Sequence, residues 1–144
     1  MTEPLAFIIE DDADLNEIFR EALVAAGFET EVALDGQAAL DRLAMIVPTV
    51  VILDLHLPRV SGEAILKKIR SAPHLEHTRI VLATADAAAA EFLREQSDFV
   101  MVKPISYSQL SDLTRRLNPN LLADKAKTIP LNRVGGDSGK NSYQ

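Results

Sequence analysis

The sequence contains no cysteine. Neither a disulfide framework nor a thiolate metal site can therefore form, and the absence fits a reducing compartment. Long apolar runs are lacking too: nothing approaches the length needed to span a bilayer. The opening Met1-Thr2-Glu3-Pro4 has neither the basic flank nor the apolar stretch of a secretion signal. A soluble cytoplasmic protein with no membrane insertion is expected. Basic clusters are missing as well. The 15 Lys and Arg are scattered among 21 Asp and Glu for a net charge of −6, so direct nucleic-acid binding is not expected. The first strand-to-helix turn lacks G-x-G-x-x-G, which argues against a dinucleotide-binding loop. What remains is 144 residues, 47% hydrophobic and 25% charged, enough for one domain with a real core and a modest tail.

The pattern along the chain alternates strand and helix. Leu5-Ala6-Phe7-Ile8-Ile9 is a wholly apolar run ending at Glu10-Asp11-Asp12, as a strand buried on both faces would be. Leu15, Ile18, Phe19, Ala22, Leu23 and Ala26 follow at helical spacing, with acidic residues in the first turn and Gly27 placed to stop the helix. The alternation recurs with a strand over Phe28 to Leu34, a helix through Ala38 to Ile46, and an apolar strand Thr49 to Leu53 ending at Asp54. A helix over Gly62 to Arg70 comes next, then a strand Arg79 to Ala83 and an alanine-rich helix from Ala87 to about Gln96. A strand Phe99 to Val102 and a helix Tyr107 to Leu117 close the series, with Ser106 and Gln109 spaced as a capping box. Five strands alternating with five helices predict an α/β fold, a doubly wound parallel sheet covered on both faces. The first and third strands, being the most apolar, are expected at its centre. The domain is read as residues 4–118, and residues 119–144, rich in Gly, Asn and Ser, as a flexible C-terminal tail.

In such sheets ligands bind beyond the carboxyl ends of the strands. The side chains there are Glu10 and Asp11 after the first strand, Asp54 after the third, Thr84 after the fourth and Lys103 after the fifth. Tightly grouped carboxylates repel one another without a cation, and hard oxygen donors suit Mg²⁺. A lysine and a hydroxyl opposite them are what a transferring phosphoryl group requires, because that chemistry is mostly positioning and charge neutralisation. Asp54 is left as the nucleophile.

Over roughly residues 5 to 117 the chain resembles the receiver domain of two-component response regulators. The resemblance rests on Ile9-Glu10-Asp11-Asp12, on Asp54-Leu55-His56-Leu57-Pro58 followed by Ser61-Gly62, on Ala83-Thr84-Ala85 and on Lys103-Pro104, in that order. It implies a flavodoxin-like sheet of order 2-1-3-4-5 and phosphorylation of Asp54. Asp11 and Asp54 would hold Mg²⁺ directly, Glu10 through water and His56 through its backbone carbonyl. Lys103 and Thr84 would contact the phosphoryl oxygens, and Pro104 would follow a cis peptide bond. The implied partners are a sensor histidine kinase or a histidine phosphotransfer protein, with the downstream protein target and homodimer formation left open. With no output domain following in the sequence, the signal is expected to leave by protein contact or phosphorelay. Asp12 is read as a helix cap.

Two departures stand out. The family usually carries an aromatic residue at the switch position three residues before the strand-five lysine; here it is Val100, with Phe99 on the opposite face of the strand. The stretch between Thr84 and Lys103 is also short, predicting an abbreviated fourth helix. Two other readings stay open: a receiver-like docking module independent of phosphorylation, and a phosphatase on a related fold. The phosphatases use a second aspartate two residues after the nucleophile, where this chain has His56.

Overall fold

The computed structural model describes residues 2–121. Five strands run in parallel: β1 (Leu5–Ile9), β2 (Glu29–Ala33), β3 (Val50–Leu53), β4 (Arg79–Thr84) and β5 (Phe99–Val102), ordered β2-β1-β3-β4-β5. The helices between and after them are α1 (Ala13–Ala25), α2 (Gly36–Leu43), α3 (Gly62–Ser71), α4 (Ala87–Phe92) and α5 (Tyr107–Arg115). The expected strand order is therefore present. β3 is its centre, with every residue buried.

Alternation along each strand divides the core in two. Phe7, Ile9, Val51, Leu53, Ile80 and Leu82 face one layer, where they meet Leu43 of α2 and Ile65, Leu66 and Ile69 of α3. Ala6, Ile8, Val50, Ile52, Val81 and Ala83 face the other, against Phe19 and Leu23 of α1 and Leu110 of α5. Because the interior strands are apolar on both faces, neither layer can be removed without exposing them. Among the described residues no helix is long and apolar enough to cross a membrane.

Several helix ends differ from the sequence-based bounds, each for a local reason. α2 starts at Gly36 rather than Ala38, because Asp35 caps it by accepting the Ala38 amide at 2.8 Å. α4 stops at Phe92, and the expected extension to Gln96 is a separate 3-10 turn, Arg94–Gln96, set off where Leu93 is drawn into the core. α5 ends at Arg115, and the tighter bonds from Leu117 N to Thr114 O and from Asn118 N to Arg115 O close it. The capping box of Ser106 and Gln109 is present at its start. A 3-10 turn at Pro73–Leu75 is an addition, and within it the His74 ring bonds the Leu43 carbonyl at 2.9 Å. Most of the expected tail lies outside the described residues, but residues 119–121 are helical.

The end of α1 depends on a residue remote in sequence. Gly27 has a φ of +93°, which a glycine adopts without penalty. The buried Asn118 side chain donates to the Ala26 carbonyl at 2.9 Å and the Gly27 carbonyl at 3.3 Å. Asn118→Ala leaves both acceptors without this partner and should lower stability by about 1–3 kcal/mol, read as a reduced urea midpoint. An unchanged midpoint would show that solvent satisfies this helix end.

Candidate functional site

The strand order reverses between β1 and β3, and parallel pairing carries both strands to the same edge. Glu10 follows β1 and Asp54 follows β3; the Asp54 amide continues the ladder by donating to Ile9 O at 3.0 Å. Both side chains are buried, Glu10 at 2% exposure and Asp54 at 5%. Asp11 is exposed beside them, and one carboxylate oxygen from each of the three lies within 4.8 Å of the others. Asp12 turns away from the cluster: it caps α1, its Oδ1 accepting the Asp14 and Leu15 amides. Asn16, in the first turn of α1, is buried and donates its amide to the Glu10 carbonyl. Sequence reasoning missed it, although a polar residue one turn after the acidic run, on the buried side of an amphipathic helix, is a readable signal.

Lys103 enters from β5. Its backbone amide donates to Thr84 O at 2.8 Å, which fixes the register, and its ammonium stands 2.7 Å from Glu10 Oε1 and 3.6 Å from Asp54 Oδ2. The peptide between Lys103 and Pro104 is cis. Thr84, fully buried at the end of β4, accepts the Asp86 amide on its hydroxyl at 3.1 Å. Glu10, Asp11, Asp54, Thr84 and Lys103 thus gather at one edge of the sheet.

The remaining candidates lie around them. His56 is in the loop after Asp54, its amide 3.3 Å from Asp54 Oδ1. Its ring is largely exposed, and Nε2 lies 3.3 Å from Asp86 Oδ2, so the side chain links two strand-end loops. Asp86 caps α4, and the Ala89 amide, with His56 assisting, holds its carboxyl below the usual range. Val100 packs with the α2 and α3 layer, whereas Phe99 and Met101 pack with the α1 and α5 layer. Phe99 therefore cannot stand in for a ring at position 100.

The charge balance of the crevice is uneven. Burial pushes the Glu10 carboxyl above the usual carboxylate range; the hydrogen bond from Lys103 draws it down, and the Asp54 charge adds to the rise. One ammonium faces three carboxylates. An all-oxygen donor set with surplus negative charge fits a small hard dication such as Mg²⁺, which Glu10, Asp11 and Asp54 could hold.

The receiver-domain profile of response regulators matches residues 6–115. The chain belongs to the response-regulator receiver family. Among curated relatives, it is 33% identical over 127 residues to the phosphate regulon transcriptional regulatory protein PhoB of Rhizobium meliloti, across 83% of this chain and 56% of that protein. It is also 33% identical over 112 residues to the regulatory protein AtoC of Escherichia coli, across 76% of this chain and 24% of that one. This receiver thus spans about half, or less, of the length of these relatives. A solved CheY-like receiver domain from Methylobacillus flagellatus superposes with a TM-score of 0.72 at 27% identity, covering 81% of this chain and 99% of the other.

The raised Glu10 pKa gives this receiver a signature in stability. A carboxyl whose folded-state pKa exceeds its unfolded value stabilises the fold in acid, and that contribution is lost as pH rises through the folded value. In EDTA, Glu10→Gln, which cannot ionise, should gain stability relative to wild type as pH climbs from below the carboxylate range to neutral. Added Mg²⁺ should narrow the gap by stabilising wild type. Urea titrations across that window check both; a gap that shrinks with rising pH in EDTA would contradict the assignment.

Proposed function

We propose that this receiver accepts one phosphoryl group on Asp54, in a magnesium-dependent reaction, from a histidine kinase or a histidine phosphotransfer protein. The observation that carries the reading is the position of the Asp54 carboxylate: it lies in the same cluster as Glu10 and Asp11 and 3.6 Å from the Lys103 ammonium. An Asp54 oxygen forms the new O–P bond as the P–N bond of the donor phosphohistidine breaks, and the bonding electrons leave on the imidazole, which takes up a proton. Lys103 balances charge on the phosphoryl oxygens, and the Thr84 hydroxyl, which accepts from the Asp86 amide, would turn to donate to one of them. Glu10, Asp11 and Asp54, with the His56 carbonyl as a further oxygen donor, would hold Mg²⁺, whose charge would let a phosphate dianion approach a carboxylate. The domain catalyses only its own phosphorylation and dephosphorylation, and the signal passes on by protein contact or by relay of the phosphoryl group.

Intact-mass spectra after incubation with acetyl phosphate test the reading. The wild type should gain one phosphoryl group in Mg²⁺ and none in EDTA. Asp54→Asn should not be labelled. Asp11→Ala should lose Mg²⁺ binding and labelling together, whereas Lys103→Ala should keep metal binding. Undiminished labelling of Asp54→Asn, or labelling that persists in EDTA, would overturn the proposal and favour the docking module that works without phosphorylation.

The link between His56 and Asp86 joins the loops that follow β3 and β4, two residues beyond Asp54 and Thr84 respectively. A bridge in this position restricts the approach of water to a phosphorylated Asp54. His56→Ala combined with Asp86→Ser, which retains a capping side chain for α4, should shorten the phosphorylated state several-fold in a timed mass assay. An unaltered decay rate would remove the bridge from the account.

A further inference from the structure

The loop from Leu55 to Ser61 carries His56 and connects Asp54 to α3; Leu55, Leu57 and Val60 pack on the α2 and α3 layer, but few backbone bonds hold it. It has no regular structure, Pro58 contributes no amide donor, and Arg59 sits at a φ of +75°, an uncommon conformation for a residue with a side chain. Such a segment persists only where its surroundings hold it. Its ends are tied by the His56 amide to Asp54 Oδ1 and by the Gly62 amide to Leu55 O at 3.0 Å. Inside the loop the Val60 amide closes a tight turn on Pro58 O at 2.9 Å, and the tie from another element reaches that same carbonyl from the start of α2.

There the Gly36 amide donates to Pro58 O at 3.0 Å, and the carboxylate of Asp35, while capping α2, lies 3.8 Å from Arg59 Nε. The approach at Gly36 is closer than any side chain allows: a Cβ on residue 36 would fall 2.0 Å from Val60 O and 2.6 Å from Val60 Cβ. The first obstacle is backbone, so it cannot rotate out of the way, and a larger residue at 36 must displace the loop itself. The ion pair is exposed and contributes little; the amide bond and the bare glycine set the distance.

We infer that Gly36 is a positioning residue for the metal and phosphoryl site, acting through its contact with Pro58 and Val60 to hold the loop that follows Asp54. The inference rests on the magnesium-dependent reading of that site. It makes the β2–α2 turn, which supplies no ligand, part of what determines metal affinity. By linkage, a cation that orders the loop must also strengthen the Gly36 contact.

Two measurements decide the matter, with Mg²⁺ as the only ligand. In wild type, calorimetric titration should show Mg²⁺ binding, and amide exchange should show the Gly36 N–H more protected with Mg²⁺ than in EDTA. Gly36→Ala should keep the far-ultraviolet spectrum of wild type and bind Mg²⁺ about tenfold more weakly, as loss of support to a metal-ligating segment does. A purely structural glycine would lower the unfolding midpoint and leave the Mg²⁺ affinity of the folded protein unchanged; that result would overturn the inference. Unchanged Gly36 exchange on metal binding would overturn it too, and this arm needs no variant to fold. Absence of Mg²⁺ binding to wild type would instead overturn the reading of the site, and the inference with it.

Discussion

Two buried carboxylates sharing one ammonium group is the constraint on which the rest of this receiver depends. Glu10 and Asp54 stand at the ends of adjacent strands, and Lys103 reaches both, at 2.7 and 3.6 Å. Like charges taken out of water are costly unless matched. The arrangement therefore demands three things of the fold: strands whose ends align, a lysine delivered from two strands beyond Asp54, and a small residue between. The parallel register meets the first, the pairing of Lys103 N with Thr84 O the second, and Thr84 itself, short and buried, the third. Even so the site is short of positive charge once Asp11 is counted, and that shortfall is the physical case for a dication.

The same edge shows how a change at Asp54 would travel. Position 100 holds valine, so no ring can exchange an outward for an inward orientation at β5, and Phe99 is committed to the opposite layer. The Thr84 hydroxyl, by contrast, is bonded to the amide of the residue that caps α4, and that residue also meets His56. A hydroxyl that turned toward a phosphoryl group would release the Asp86 amide and disturb a helix only six residues long. The contacts through which a turn of the Thr84 hydroxyl would be felt thus meet at the β4–α4 turn.

Much of this was legible in the sequence because the signals were local and repeated. Wholly apolar runs over Leu5 to Ile9 and Val50 to Leu53, each closed by carboxylates, announced buried parallel strands and the edge where chemistry collects. Ser106 and Gln109 announced a helix start. What escaped was the outcome of competition between elements. The Thr84 to Lys103 spacing predicts a short fourth helix, but helix-favouring alanines do not reveal that α4 ends where Leu93 is pulled into the core, and α2 begins two residues early because Asp35 caps it. Asn118 at the end of α1 and Gly36 against Val60 depend on contacts between segments remote in sequence. Composition and spacing carry no record of such approaches.

Chemical trapping of the phosphorylated residue addresses the central claim most directly. Borohydride reduces an acyl phosphate to the alcohol, turning a phosphorylated aspartate into homoserine, which peptide mass spectrometry locates in the chain. After incubation with a phosphoryl donor and Mg²⁺, homoserine should be found at position 54 and nowhere else. Homoserine at position 11 or 12 instead, or none in protein shown to bind Mg²⁺, would contradict the account.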